Sequence, residues 1–235
     1  MTTEQPAFVF FDLDDTLLDH RAAERAALAD CCAHFDGFGH HPVEHVQARY
    51  HDLNVPLWRR YAAGEIAKRD VQRLRFERLL DGLAVNGLAP DALGDHYMRR
   101  YAAHWDWIDG AEAAFAAVAE RFPVGILTNG FREVQHAKLD RFPVLRERAE
   151  AIVISEEVGV MKPQPGIFQH AAEEAGVRPE RILYVGDSLH SDVEGGLAAG
   201  WQVAWYSGDA DVAAARGAFA FSDWGTLLAT LAPAS

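Results

Sequence analysis

The chain has 235 residues, 49% hydrophobic and 24% charged, a composition that excludes disorder as the main state and is typical of one large or two modest folded domains. Its formal net charge of −13 excludes nucleic-acid polymers as partners, because an acidic surface repels their phosphates. Its apolar runs fall far short of the roughly 18 residues that cross a membrane, and its first residues lack the basic segment of a secretory signal. We therefore expect a cytoplasmic protein that does not bind membranes.

The first predicted strand, Phe8–Phe11, is followed by about a hundred residues in which apolar side chains recur at helical spacing. The helical segments are Arg21–Phe35, Pro42–Ala63, Ile66–Leu80 and Asp91–Trp105. A structureless loop of that length is improbable in a compact domain. We therefore predict an all-helical cap domain at residues 19–105, inserted into a core formed by residues 1–18 and 106–235.

The second half of the chain alternates short apolar strands with helix-length segments. The predicted strands are Val124–Leu127, Ala151–Ile154, Ile182–Val185 and Val203–Trp205, and the predicted helices are Phe131–Arg141, Gly166–Ala175 and Asp192–Ala199. Strands that are apolar throughout and separated by helices indicate a parallel sheet covered on both faces. The sequence thus predicts an α/β fold with a doubly wound, Rossmann-like core.

Chemically reactive side chains follow four of these strands. In open α/β sheets such side chains meet in one crevice beyond the carboxyl ends of the strands. The residues are Asp12 and Asp14 after the first strand, Thr128, Asn129 and Gly130 after the second, Lys162 in the loop after the third, and Asp187 and Asp192 after the fourth. We expect them to form one site.

The charges of this set predict a metal and a phosphate. Asp12, Asp14 and Asp187 repel one another in a crevice unless a cation lies among them, and carboxylate oxygens suit Mg²⁺. The Lys162 ammonium and the donors at Thr128, Asn129 and Gly130 suit a phosphate dianion. Two carboxylates two residues apart allow one to attack phosphorus and the other to handle the proton of the leaving group.

The ordered set Asp12-Leu13-Asp14-Asp15-Thr16, Thr128-Asn129-Gly130, Lys162-Pro163 and Gly186-Asp187-Ser188 with Asp192 resembles the four motifs of the haloacid dehalogenase (HAD) superfamily. The resemblance covers essentially the whole chain. It implies that Asp12 is the nucleophile, that Asp14 is the general acid and base, and that Thr128 and Lys162 bind the phosphoryl group. It also implies Mg²⁺ ligation by Asp12, the backbone carbonyl of Asp14, Asp187 and, directly or through water, Asp192.

Two features narrow the resemblance. The 2-haloacid dehalogenases of the superfamily lack the acid/base aspartate, so Asp14 favours a phosphatase. The segments Leu127–Phe131 and Ile154–Pro163 resemble pyrimidine 5′-nucleotidases with a helical cap, and N-acylneuraminate-9-phosphatase shares much of this pattern. The expected activity is therefore a phosphomonoesterase acting on a small phosphorylated metabolite, most specifically a nucleoside 5′-monophosphate.

Several alternatives remain open at this stage. The substrate is a nucleotide, a sugar phosphate, N-acylneuraminate 9-phosphate or phosphoglycolate, because the core motifs recognise only the phosphate. A phosphomutase would use the same aspartyl-phosphate. A non-catalytic phosphometabolite-binding protein is a further alternative, although it would be expected to lose the nucleophile or the metal aspartate, and this chain retains both. The protein is a monomer or a homodimer. In the cap, Trp58, Tyr61 and Arg75 are candidate substrate contacts, although residues at helical spacing are more often part of a core.

Overall fold

A computed structural model of the protein describes residues 4–232, and within that range the chain forms six strands and twelve α-helices. The strands are β1 (Phe8–Phe11), β2 (Val124–Thr128), β3 (Ala149–Ile154), β4 (Ile182–Gly186), β5 (Gln202–Tyr206) and β6 (Phe219–Phe221). They form a single parallel sheet in the order β3-β2-β1-β4-β5-β6. This confirms the predicted doubly wound α/β fold.

The helices follow the alternation that the sequence predicts, with shifts of one or two residues at most ends. They are α1 (His20–His34), α2 (Val43–Ala62), α3 (Lys68–Gly82), α4 (Pro90–Ala103), α5 (Ala111–Ala119), α6 (Arg132–Arg141), α7 (Pro143–Arg148), α8 (Ser155–Val158), α9 (Pro165–Ala175), α10 (Gly195–Ala198), α11 (Ala210–Arg216) and α12 (Trp224–Thr230). The predicted helix Asp192–Ala199 instead starts as a π-helical turn, Leu189–Glu194, before α10. Such wide turns are frequent at functional sites.

The sheet is buried on both faces. Val9 and Phe11 pack into one apolar cluster, whereas Phe8 and Phe10 pack into another, as the alternation of side chains along a strand requires. All four residues of β1 are buried. This two-sided burial explains why the strands have uninterrupted apolar sequences.

Strand β1 lies at the centre of the sheet, with β2 on one side and β4 on the other. In the register of the sheet, Phe11 at the end of β1 lies opposite Ile126 of β2 and Val185 of β4. The chain runs from β1 to β2 and β3 on one side of β1 and then crosses from β3 to β4 on the other side. Such a reversal of strand order opens a crevice beyond the carboxyl ends of these strands. The residues that follow β1, β2 and β4 therefore become neighbours.

The described chain divides into two compact units, one of them His20–Asp106 and the other formed by the residues up to Asp19 and from Trp107 onward. The first unit contains α1 to α4 and is all-helical, and its role as a cap stays a prediction. Its limits lie one residue later than the predicted 19–105. Across residues 4–232, every helix is too short or too polar to span a bilayer.

The interior of the helical unit contains polar as well as aromatic side chains. The rings of Tyr50, Phe76 and Tyr97 pack together with centroids 5.2 to 5.8 Å apart. Arg75 is only 7% exposed and donates from Nη1 to the Tyr50 hydroxyl at 3.1 Å. Arg75 is therefore part of this core, which favours a structural role over a substrate contact.

Candidate active site

Asp12 is placed by the end of β1. Its backbone N–H donates to the carbonyl of Val185 at 2.8 Å, which extends the pairing with β4 by one residue. Its side chain is 9% exposed and accepts, through Oδ1, a hydrogen bond from Lys162 Nζ at 2.7 Å. The carboxylate is thus held at the edge of the crevice by a rigid central strand.

Lys162 is a buried ammonium whose side chain is 2% exposed. Its Nζ donates to Asp12 Oδ1 at 2.7 Å, to Asp192 Oδ1 at 2.8 Å and to the Tyr184 hydroxyl at 2.6 Å. Burying an ammonium is costly unless it is paired and hydrogen-bonded, and these three acceptors match its three N–H groups. Burial lowers the pKa of Lys162, but the two carboxylates outweigh it and raise the pKa above its ordinary value.

Asp12, Asp187 and Asp192 form an acidic cluster in which one carboxylate oxygen from each residue lies within 4.8 Å of the others. Burial raises the pKa of Asp12 to about 7, with Lys162 opposing this effect and Asp192 adding to it. Burial, Asp12 and Asp192 raise the pKa of Asp187 to about 8. A divalent cation among these oxygens would remove the mutual repulsion, and an all-oxygen donor set fits a hard cation such as Mg²⁺.

Asp192 is fully buried and connects the fourth motif to Lys162. Its Oδ2 accepts from the backbone N–H of Ser188 at 2.9 Å, while its Oδ1 accepts from Lys162. Gly186 makes room for it, because a Cβ there would lie 2.5 Å from Asp192 Oδ2. Asp192 thus helps to hold Lys162 in place, whereas the ligation of a metal by Asp192 stays a prediction.

The loop that carries Asp187 is fixed from the next strand. The indole Nε1 of Trp205 on β5 donates to the backbone carbonyl of Asp187 at 2.7 Å. The Tyr184 hydroxyl, which accepts from Lys162, donates to the carbonyl of Leu127 on β2 at 2.9 Å. These two aromatic side chains hold the site in place through hydrogen bonds from the neighbouring strands. Neither was among the residues predicted from the sequence.

Asp14 is bound by two side chains of α6. Its Oδ1 accepts from Lys138 Nζ at 2.5 Å and its Oδ2 accepts from Gln135 Nε2 at 3.0 Å. The same Gln135 amide donates to Thr128 Oγ1 at 2.8 Å. Asp14 and Thr128, which belong to the first and second motifs, are therefore joined through one buried glutamine.

Polar groups at the end of β2 and in the loop after it form hydrogen bonds with other segments of the protein. The side-chain amide of Asn129 pairs with the backbone of Lys162, and the backbone N–H of Gly130 donates to Ser155 Oγ at 3.1 Å. Thr128 is fully buried, with its hydroxyl bound to Gln135. Binding of a phosphate by Thr128, Asn129 and Gly130 stays a prediction, whereas their role in joining the motifs is directly visible.

All the predicted site residues lie in the α/β unit, and the contacts above link them into one region. Gln135 and Lys138 were not predicted from the sequence, which does not show which face of α6 is buried. They lie three residues apart on the helix that follows the second motif, so they share one helix face. Buried polar residues on the face of a core helix indicate a partner inside the protein.

Comparison with known proteins agrees with the motif assignment. The family model of haloacid dehalogenase-like hydrolases matches residues 7–200. The chain is 35% identical over 202 residues to pyrimidine 5′-nucleotidase YjjG of Escherichia coli, covering 84% of each protein. It is 29% identical over 204 residues to pyrimidine 5′-nucleotidase PynA of Streptococcus pneumoniae, covering 85% of this chain and 83% of that protein.

Among solved structures, HAD-hydrolase YfnB of Bacillus subtilis bound to magnesium matches with a TM-score of 0.82 at 28% identity, covering 97% of this chain and 99% of that one. The fold, the family match over most of the chain and the identity to curated relatives agree. The chain belongs to the haloacid dehalogenase-like hydrolase family and is a hydrolase.

Proposed function

We propose that the protein is a Mg²⁺-dependent phosphomonoesterase that forms an aspartyl-phosphate on Asp12, and that its substrates are nucleoside 5′-monophosphates. The observation that carries the proposal is the contact of Asp12 with Lys162 inside the acidic cluster. A buried carboxylate beside a fixed ammonium and a cation-binding set suits attack on a phosphate dianion, since charge neutralisation and positioning supply most of the catalysis of phosphoryl transfer.

The first half of the reaction transfers the phosphoryl group to the protein. A carboxylate oxygen of Asp12 attacks phosphorus, and the bond between phosphorus and the ester oxygen breaks. The electron pair of that bond stays on the ester oxygen, which takes a proton from Asp14 and departs as an alcohol. Lys162 steadies Asp12 and offers positive charge to the transferring oxygens.

The second half regenerates Asp12. A water oxygen attacks phosphorus, Asp14 takes the proton of that water, and the bond between phosphorus and the Asp12 oxygen breaks with its electrons returning to the carboxylate. Asp12, Asp187, the backbone carbonyl of Asp14 and, directly or through water, Asp192 would hold Mg²⁺, which would supply neutralisation of the phosphate charge.

The nucleotide substrate is supported by two relatives that are named as pyrimidine 5′-nucleotidases and match over most of this chain. The core residues bind only the phosphate, so the choice between nucleotide and sugar phosphate depends on residues outside the four motifs. The proposal of a nucleotide is therefore independent of the proposed chemistry.

One experiment tests both parts. Phosphate release is measured with Mg²⁺ from pyrimidine and purine nucleoside monophosphates, sugar phosphates, phosphoglycolate and N-acetylneuraminate 9-phosphate. We expect the highest kcat/KM with pyrimidine nucleoside monophosphates and a loss of more than about 99% of turnover in Asp12→Asn, because an amide is a poor nucleophile. A preference for sugar phosphates would refute the nucleotide part alone, and an active Asp12→Asn variant would refute the covalent chemistry.

A further inference from the structure

Helix α6 presents two polar side chains to the interior of the α/β unit. Lys138 is 2% exposed and Gln135 is 1% exposed. Neither residue belongs to the motifs that define the family resemblance. Both bind the Asp14 carboxylate, which is 24% exposed, and they bind different oxygens of it.

The cost of this arrangement indicates that it has a use other than stability. Taking a lysine ammonium out of water is costly, and replacing a buried ion pair with apolar residues is often neutral or stabilising. The neighbouring Leu139 is fully buried, so α6 also carries an apolar side chain into the interior of the α/β unit. The polar pair therefore fixes a geometry that apolar residues cannot fix.

The geometry in question is the direction of the Asp14 carboxylate. A single donor leaves a carboxylate free to rotate about its last torsion, whereas one donor at each oxygen fixes its plane. Gln135 is itself held by Thr128, and Gly130 leaves space for it, because a Cβ there would lie 2.8 Å from Gln135 Cδ. The donor to Oδ2 is thus itself held in place by the protein.

We propose that Gln135 and Lys138 are positioning residues that aim the Asp14 carboxylate for proton transfer. The inference rests on the proposed function, in which Asp14 takes a proton from water while the aspartyl-phosphate is hydrolysed. Both oxygens of Asp14 accept a hydrogen bond in this arrangement, and each keeps a second lone pair that can take a proton. Loss of either donor leaves Asp12 and its contacts in place but misdirects Asp14.

p-Nitrophenyl phosphate separates the two halves of the reaction. Its leaving group is a stable anion that departs without a proton, so the first release of p-nitrophenol reports the attack by Asp12 alone. Steady-state turnover also requires hydrolysis of the aspartyl-phosphate, in which Asp14 is the base. The ratio of the first-turnover rate to the steady-state rate therefore measures how well Asp14 is aimed.

The test compares Lys138→Met and Gln135→Met with the parent and with Leu139→Ala, by rapid mixing with p-nitrophenyl phosphate and Mg²⁺. We expect a first turnover within about threefold of the parent and a steady-state rate at least about 30-fold lower, because a misdirected base loses part of the 10²–10⁴-fold that a general base typically contributes. A burst of p-nitrophenol and an accumulated phosphoenzyme accompany this pattern. Leu139→Ala creates a cavity on the same helix and keeps the parental ratio.

A double variant adds a second readout. Lys138→Met in the background of Asp14→Asn should be no more than about threefold slower than Asp14→Asn alone, because residues that act through one another are not additive. Thermal unfolding confirms that each variant is folded, and Gln135→Met, which keeps the ion pair, carries the test if Lys138→Met does not fold.

Two results would overturn the inference. One is an equal fall of both phases in the folded variants, and the other is a multiplicative loss in the double variant. If the parent releases neither p-nitrophenol nor phosphate, the proposed function is wrong and this inference falls with it. If the parent turns over normally and the ratio is unchanged in both variants, only the inference is wrong.

Discussion

The side-chain amide of Asn129 pairs with both polar groups of the Lys162 backbone. Its Oδ1 accepts from the Lys162 N–H at 2.9 Å, and its Nδ2 donates to the Lys162 carbonyl at 3.0 Å. This pairing joins the loop after β2 to the segment that carries the buried ammonium. The position of the ammonium therefore depends on an amide 33 residues away in the sequence.

Substitution Asn129→Asp tests this connection. It replaces the donating NH₂ group by an oxygen that repels the Lys162 carbonyl, so we expect the free energy of unfolding to fall by about 1–3 kcal/mol. Displacement of Lys162 should lower kcat by about 100-fold, since small misplacements of a binding group are costly. Both are measured by chemical unfolding and phosphate release. Asn86→Asp is the control, because Asn86 is exposed and its side-chain amide donates to the nearby Ala84 carbonyl at 3.0 Å.

Mg²⁺ should stabilise the folded protein through the acidic cluster. At 100 times its Kd, a ligand that binds only the folded state raises the free energy of unfolding by about 2.7 kcal/mol, which is measured as a higher Tm. Asp187→Asn should abolish the rise. Asp209→Asn should keep it, because Asp209 only caps α11 through Val212 N at 2.9 Å and asparagine caps as well. An equal rise of Tm in Asp187→Asn would show that the ion binds at another position.

Gly130→Ala should lower activity with little loss of fold. The added Cβ would come within 2.8 to 2.9 Å of three Gln135 side-chain atoms, so Gln135 must move and release Thr128 and Asp14. We expect kcat to fall by about tenfold or more, as for loss of an aligned catalytic group, with a Tm close to that of the parent. Gly166→Ala is the matched control, because its nearest new contact is an ordinary 3.6 Å from Val160 Cγ1. Full activity of Gly130→Ala would contradict the tight packing against Gln135.

Asp30 in the helical unit should make the stability of the folded protein depend on pH. Hydrogen bonds from His104 Nε2 at 2.6 Å and Arg100 Nε at 2.5 Å lower its pKa. A carboxylate with a lowered pKa stabilises the folded state above the pKa of an unfolded aspartate, about 3.9, and this contribution disappears as pH falls through the folded pKa. Urea unfolding at several pH values below about 5 should show a smaller acid-induced loss of stability in Asp30→Asn. If the free energy of unfolding fell equally with pH in the parent and in Asp30→Asn, this role of Asp30 would be contradicted.

The sequence was most informative about positions at the ends of strands. Asp12, Thr128, Lys162 and Asp187 were located because an apolar strand followed by a reactive residue is a local pattern, and parallel topology then brings such residues together. The strand bounds were equally accessible, with β1 predicted at its observed limits, Phe8–Phe11. Strand β6 was missed because three residues, Phe219–Phe221, are too few to show a period.

The supporting residues could not be predicted with the same ease. Tyr184 lies in the middle of a buried strand, where its ring is indistinguishable from a core aromatic until its hydroxyl is seen to meet Lys162. Gln135 and Lys138 look like the solvent-facing residues of an amphipathic helix, because only the packing of α6 shows which face is buried. Arg75 shows the reverse case, since a charged residue proposed for substrate contact lies inside the helical unit.

The hydrogen bonds of the Asn129–Gly130 pair also affect the chemical stability of the chain. An asparagine followed by glycine is the sequence most prone to spontaneous deamidation, in which the glycine nitrogen loses its proton, attacks the side-chain carbonyl carbon and expels ammonia through a succinimide. Here the Gly130 N–H is donated to Ser155 Oγ, and both ends of the Asn129 amide are bound by the Lys162 backbone. The ring closure is therefore opposed at each of its reacting groups, and we expect deamidation of this dipeptide to be much slower in the folded protein than in the unfolded chain.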